Sequence, residues 1–180
     1  MAVVVVAGCG PLDATGSGGT EVDPIKVLGI LPSPDDLRGQ PATVADATQL
    51  QDGFTGDRDP RVATRIAQLK PPAAAVRTWT ASGGRTLVAV VSVWDSHLTA
   101  IGVGGDVATF LTDKGGAAWT PDDARGSRGA RVGTNGDQEM RLSYAVGRNS
   151  LYVRSEGPVD PDVVVRTLNR LRKVVEAEIG

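Results

Sequence analysis

Residues 85–94, "RTLVAVVSVW", are rich in β-branched residues and carry apolar side chains at both alternating positions. That is the pattern of a strand buried on both faces in the middle of a sheet. A central strand needs neighbours in its ladder, and the sequence supplies one at once. Residues 76–81, "VRTWTA", alternate, and "SGG" between the two runs gives a turn, so the pair predicts a hairpin in which Trp79 and Trp94 are core aromatics.

A helix is expected next, over residues 95–112. Leu98, Ile101, Gly105, Ala108 and Thr112 fall at alternating three- and four-residue steps, although Gly102, Gly104 and Gly105 each cost it about 1 kcal/mol. The second half follows the same order. Met140, Leu142, Tyr144 and Val146 alternate, "GRNS" turns the chain, and "LYVRSE" returns as a strand. The closing helix has the strongest local signal. Val159 precedes an Asp160 cap, Pro161 occupies the first helical position, and Val164 can meet Val159 as a hydrophobic staple. Val164, Leu168, Leu171 and Val175 then line one face.

Two strand-strand-helix units therefore stand in tandem, at 76–112 and 139–178. They predict an α+β fold of two layers: an antiparallel sheet of about 4–5 strands with the helices packed on one face, and a possible ββα pseudo-repeat. A further helix is expected after Asp59-Pro60, with Val62, Ile66 and Leu69 at helical spacing until Pro71-Pro72 stops it. Pro32-Ser33-Pro34 suggests a short helix capped by Ser33, and residues 40–57 look polar and irregular. Residues 113–137 are Gly-rich, polar and long, and loops of that length are often functional or disordered.

The chain has 180 residues and a formal charge of −2, enough for one domain with a real core and without the basic balance of a nucleic-acid binder. Charge is unevenly placed. Residues 1–60 hold three cations against nine anions, the composition of a solvated acidic leader, whereas the remainder is net positive.

The sequence opens "MAVVVVAGCG". Ala2 to Ala7 is far short of the ~20 apolar residues that span a bilayer. It is also shorter than a secretory h-region of about 7 to 15 residues, and no Lys or Arg precedes it. Two readings stand: a small buried thiol in a first strand, or the end of an export signal. The stretch after Cys9, "GPLDATGSGGTEVDP", cannot bury enough apolar surface to offset chain entropy and has the make-up of a tether of roughly 20 Å. Cys9 is the only cysteine, and acylation would explain a lone cysteine in an exported protein.

Chemistry is sparse. Asp95-Ser96-His97 holds the letters of a catalytic triad, but neighbours on a helix do not converge on one point. Gly102-Val103-Gly104-Gly105-Asp106-Val107 begins like a dinucleotide fingerprint yet has Val where the third Gly belongs. Asp57 and Asp59 resemble the start of a calcium loop without its later Gly and Glu, and one His with one Cys makes no zinc set. No catalytic residue, metal or cofactor is expected. The basic residues Arg125, Arg128 and Arg131, with Trp119, make the 113–137 segment a candidate binding loop, able to meet an anionic surface or to stack a ligand. The plainer alternative is a solvated loop balanced by Asp122 and Asp123.

Val6-Ala7-Gly8-Cys9 resembles the bacterial lipobox, in which an aliphatic and two small residues precede a cysteine that is diacylated and becomes the mature N-terminus. With the polar tether, "LGILPSPDDL" and the ββα plan, the chain looks like the small lipoproteins of high-GC Gram-positive bacteria, some of which carry sensor-like domains. The resemblance implies residues 1–9 as a truncated signal with Cys9 lipidated, 10–24 as tether and 25–180 as one α+β domain, with a charged n-region upstream. It implies a protein anchored to the extracytoplasmic face of the cell membrane, a non-catalytic binding or sensor-like module for a small ligand or an envelope protein. The alternatives are a structural envelope lipoprotein without ligand and a carrier of lipid or another small hydrophobic ligand; an enzyme ranks last.

Overall fold

The computed structural model describes residues 21–34, 36–55, 60–134 and 136–180. Cys9, most of the expected tether, and Asp57 and Asp59 lie outside these. Packing begins early: Val22 is buried, Glu21 pairs with Arg148 (2.7 Å), and Asp23 caps the first helix, so the last residues assigned to the tether belong to the domain.

Helix α1 (Pro24–Gly29) forms because the Asp23 carboxylate accepts from the Ile25 and Lys26 amides and Pro24 sits in the first turn. Among the described residues no helix directly follows Ser33, where one was expected. There the Leu37 amide closes a turn onto the Pro34 carbonyl (3.0 Å) instead. Two short strands follow, β1 (Arg38–Gly39) and β2 (Thr43–Val44). Helix α2 (Ala47–Thr55) then occupies most of the stretch expected to be irregular. Its start is a reciprocal capping box: the Gln49 amide donates to the Asp46 carboxylate (2.8 Å), and the Asp46 amide to Gln49 Oε1 (3.0 Å). Helix α3 (Pro60–Leu69) follows where expected.

Strands β3 (Ala73–Ala81) and β4 (Arg85–Val93) make the first hairpin, and α4 (His97–Thr109) follows. The 113–137 segment is a correction: it contains β5 (Ala117–Ala118) and all of β6 (Arg128–Thr134). Strands β7 (Asp137–Val146) and β8 (Asn149–Glu156) and helix α5 (Pro161–Ile179) complete the chain.

Among the described residues eight strands, not four or five, form one antiparallel sheet in the order β1-β3-β4-β8-β7-β6-β5, with β2 also on β3. The additional strands are the two-residue edge pieces and β6, too short or too rich in Gly and Arg to show an alternating pattern. Helices cover both faces, which corrects the two-layer expectation. Leu87, Ala89 and Val91 of β4, with Leu151 and Val153 of β8, pack under α1 and α5. The alternate residues Val88, Val90 and Tyr152 pack under α2, α3 and α4. Three layers explain why residues 87–91 are apolar on both faces of the strand.

The two ββα units meet where β4 pairs with β8. Helices α4 and α5 nevertheless lie on opposite faces, so the twofold rotation that would relate the two antiparallel hairpins does not relate the helices.

Candidate functional site

A cavity of about 210 Å³ opens between α4 and the end of β7. Its origin is a mismatch in strand length. The β6 ladder begins with Arg128 opposite Ser143, and just before it Gly126, at φ 85°, turns the chain aside. Residues 144–146 of β7 thus continue past the point where β6 pairs with them, and the gap is roofed by α4.

Helix α4 starts at Ser96, whose hydroxyl accepts from the Thr99 amide (3.1 Å). His97 then reaches across to the β7–β8 turn, its Nδ1 standing 2.6 Å from the Gly147 carbonyl. A carbonyl only accepts, so Nδ1 carries the proton and Nε2 is the ring nitrogen left. One turn and more along, Gly104 lets the helix sit on the sheet. A Cβ there would lie 2.9 Å from Ser150 Oγ and 3.1 Å from Ser143 Cβ. Ser143 donates its hydroxyl to the Arg128 carbonyl (3.1 Å), and the buried Ser150 and Ser127 hydroxyls have no partner. Arg128 lies along the helix, with Cδ and Nη1 3.3 Å from where a Cβ on Gly105 would stand. Among the described residues its guanidinium meets no carboxylate, and the cavity wall contains none.

The other residues of the candidate loop are dispersed by strand geometry. Arg128 pairs with Ser143 and faces α4, whereas Arg131 pairs with Met140 and faces the α5 side, because an odd spacing in a strand reverses the face. Trp119 is half-buried against the α5-side core, and Arg125 is exposed in the turn before β6. Ser96 and His97 have the separate tasks just described. Trp79 and Trp94 are fully buried.

A second polar cluster lies under α2. The last four carbonyls of a helix have no intrahelical partner, and here each receives a donor from the sheet. Arg154 reaches the Asp52 and Gly53 carbonyls (3.4 Å each), Tyr152 Oη the Phe54 carbonyl (2.6 Å), and Arg141 the Thr55 carbonyl (3.3 Å). Arg141 and Arg154 are direct cross-strand partners, so two cations stand side by side beneath the negative end of α2. Each also pairs with a carboxylate two residues away, Glu139 at 2.5 Å and Glu156 respectively. Burial pushes the Tyr152 phenol well above its ordinary value, against the opposing pull of the two guanidinia. Arg77 does the same for α1, donating to the Leu28 and Leu31 carbonyls at 2.7 Å. The signal for these residues was an arginine at an inward position of each strand, hidden by the assumption that one sheet face meets water.

Among the described residues no helix is long and apolar enough to cross a membrane, and no group of three or more His, Cys, Asp or Glu could hold a metal. Comparison with protein families gives no match, and comparison with curated proteins gives none. Solved structures do match. The chain is similar to the extracellular domain of PknH from Mycobacterium tuberculosis, at 12% identity and a TM-score of 0.52, over 84% of this chain and 89% of that one. The fold is shared. An uncharacterised protein from Mycobacterium smegmatis is similar at 10% identity and a TM-score of 0.38, over 91% and 98% of the two chains.

Proposed function

We propose that this chain is an extracytoplasmic, lipid-anchored binding module of sensor-like type, non-catalytic, holding a small ligand in the cavity between α4 and β7. The observation that carries the reading is the fold, shared along most of its length with an extracellular domain. The lipobox-like Val6-Ala7-Gly8-Cys9 and the polar stretch after it, which leads to the buried Val22, fit an anchored domain. Both cores are filled by apolar side chains, and the α4–β7 cavity, at about 210 Å³, is below the roughly 300–1,000 Å³ of drug-sized ligand sites, so a ligand held there is small. The cavity's imidazole and its hydroxyl each engage a backbone carbonyl instead of one another, an arrangement suited to holding a ligand and not to activating a nucleophile.

The test is intact mass of protein recovered from the native envelope, expressed from an extended upstream start, beside Cys9→Ala. A mature chain beginning at an acylated Cys9, lost in the variant, supports anchoring; an unmodified chain retaining Met1 in the soluble fraction overturns it. Native mass spectrometry of the same material tests the cavity. A small molecule that leaves with Ala145→Trp supports it, and one retained equally by both proteins places binding elsewhere.

A further inference from the structure

We propose that the α4–β7 cavity selects a small organic carboxylate with a short apolar tail, the carboxylate on Arg128 and the tail along Ile101 towards Leu98. The inference rests on the reading of this cavity as the binding site and adds the class of ligand.

Charge sets one end. Arg128 is a guanidinium without a carboxylate partner among the described residues, at a wall that carries no acid. Arg61, Arg65, Arg85, Arg141, Arg148, Arg154 and Arg172 each pair with a carboxylate; the fork of Arg128 does not, and it stands at the wall of this cavity. Its stem is held along Gly105, where the missing side chain leaves room for it. A planar guanidinium with five donors matches a carboxylate in two parallel bonds. A single cation suits a monoanion better than a phosphate.

The apolar end comes from α4. Ala100, Val103 and Val107 of that helix are buried, yet Leu98 is 79% exposed and Ile101, one turn on, is half-buried at the cavity. Residues three apart share a helix face, so the two side chains continue the cavity wall outward as an uncovered aliphatic strip. The half-buried Ala145 of β7, which packs with the α4-side core, extends the apolar surface on the opposite wall, whereas the Tyr144 ring lies on the α5 side under Arg172. The volume limits the tail to a few carbons.

The experiment is an amide NMR titration of the full chain with hexanoate, hexylamine and acetate at fixed ionic strength. Hexanoate is expected to saturate with shifts at Ile101, Arg128 and Ala145, to bind about tenfold or more weakly to Arg128→Gln and to Ile101→Ser, and to bind unchanged to Arg170→Gln on the opposite face. The spectra themselves report whether each variant is folded. Acetate binding as tightly as hexanoate overturns the proposal, as does hexanoate binding that Arg128→Gln leaves unaltered. Hexylamine perturbing the same residues as well as hexanoate overturns the carboxylate while leaving the cavity as a site. Absence of any probe from those residues overturns both.

Discussion

Tyr152→Phe removes one oxygen from the centre of the molecule, and its effect follows from a single bond. The ring is fully buried and meets Phe54 edge-on with centroids 5.0 Å apart, a contact that phenylalanine keeps. What goes is the 2.6 Å hydrogen bond to the Phe54 carbonyl, which sits in the last turn of α2 and has no intrahelical partner. Stranding a buried acceptor costs about 1–3 kcal/mol. At the 2–4 °C per kcal/mol of a domain this size, a central value of about 2 kcal/mol lowers Tm by roughly 4–8 °C. Urea unfolding should show a lower midpoint at unchanged slope. The pH dependence adds a second check. Because burial raises the folded-state phenol above its ordinary value of 10.0, the unfolded chain releases that proton first, and stability falls as pH rises above about 10. The variant lacks this group, so the gap between wild type and Tyr152→Phe should close with pH in that range. A difference below about 0.5 kcal/mol at neutral pH, or a gap that stays constant above pH 10, would refute the reasoning.

Arg141→Ala should be more damaging, about 3 kcal/mol by equilibrium unfolding, because it leaves the Thr55 and Val107 carbonyls and the mostly buried Glu139 without their cation. Two substitutions in α4 should have opposite signs in a thermal melt. Gly104→Val should cost about 1–3 kcal/mol, since its Cβ would press on Ser150 and Ser143. Gly102→Ala should gain about 0.5–1 kcal/mol, its Cβ meeting only Arg65 Nη2 at an ordinary 3.8 Å. Asp160→Ala, removing the cap that accepts from the Asp162 amide, should lower stability by about 0.5–2 kcal/mol.

The elements legible in the sequence are those with two concurrent signals. The β3–β4 hairpin has β-branched runs and a Gly turn with positive φ at Gly83 and Gly84; α5 has a cap, a proline and a long apolar stripe. The missed helices also had signals. Asp23-Pro24 and Asp46-Ala-Thr-Gln49 are both helix starts, but the helices behind them are short, and burial of a few residues leaves little periodicity to count. The layer number was legible too. A strand apolar on both faces needs cover on both faces, and residues 85–94 imply what the one-sided expectation left out. Arg141 and Arg154 could not be read in the same way. Their alternation with apolar residues matches a strand with one wet face, and only the seating of α2 above them makes that face an interior. At the site, Arg128 is in the segment singled out, but strand register separates it from Arg131, and the partners that matter, Gly104 and Ser143, come from elements remote in sequence.

The most direct test of the account is a small-fragment screen by amide NMR on the full chain, with each binder mapped to its shifted residues. Binding to the α4–β7 cavity predicts that the strongest fragments cluster at His97, Ile101, Arg128 and Ala145 and are excluded by Ala145→Trp. Fragments that cluster on another surface, or that bind Ala145→Trp as well as wild type, would contradict it.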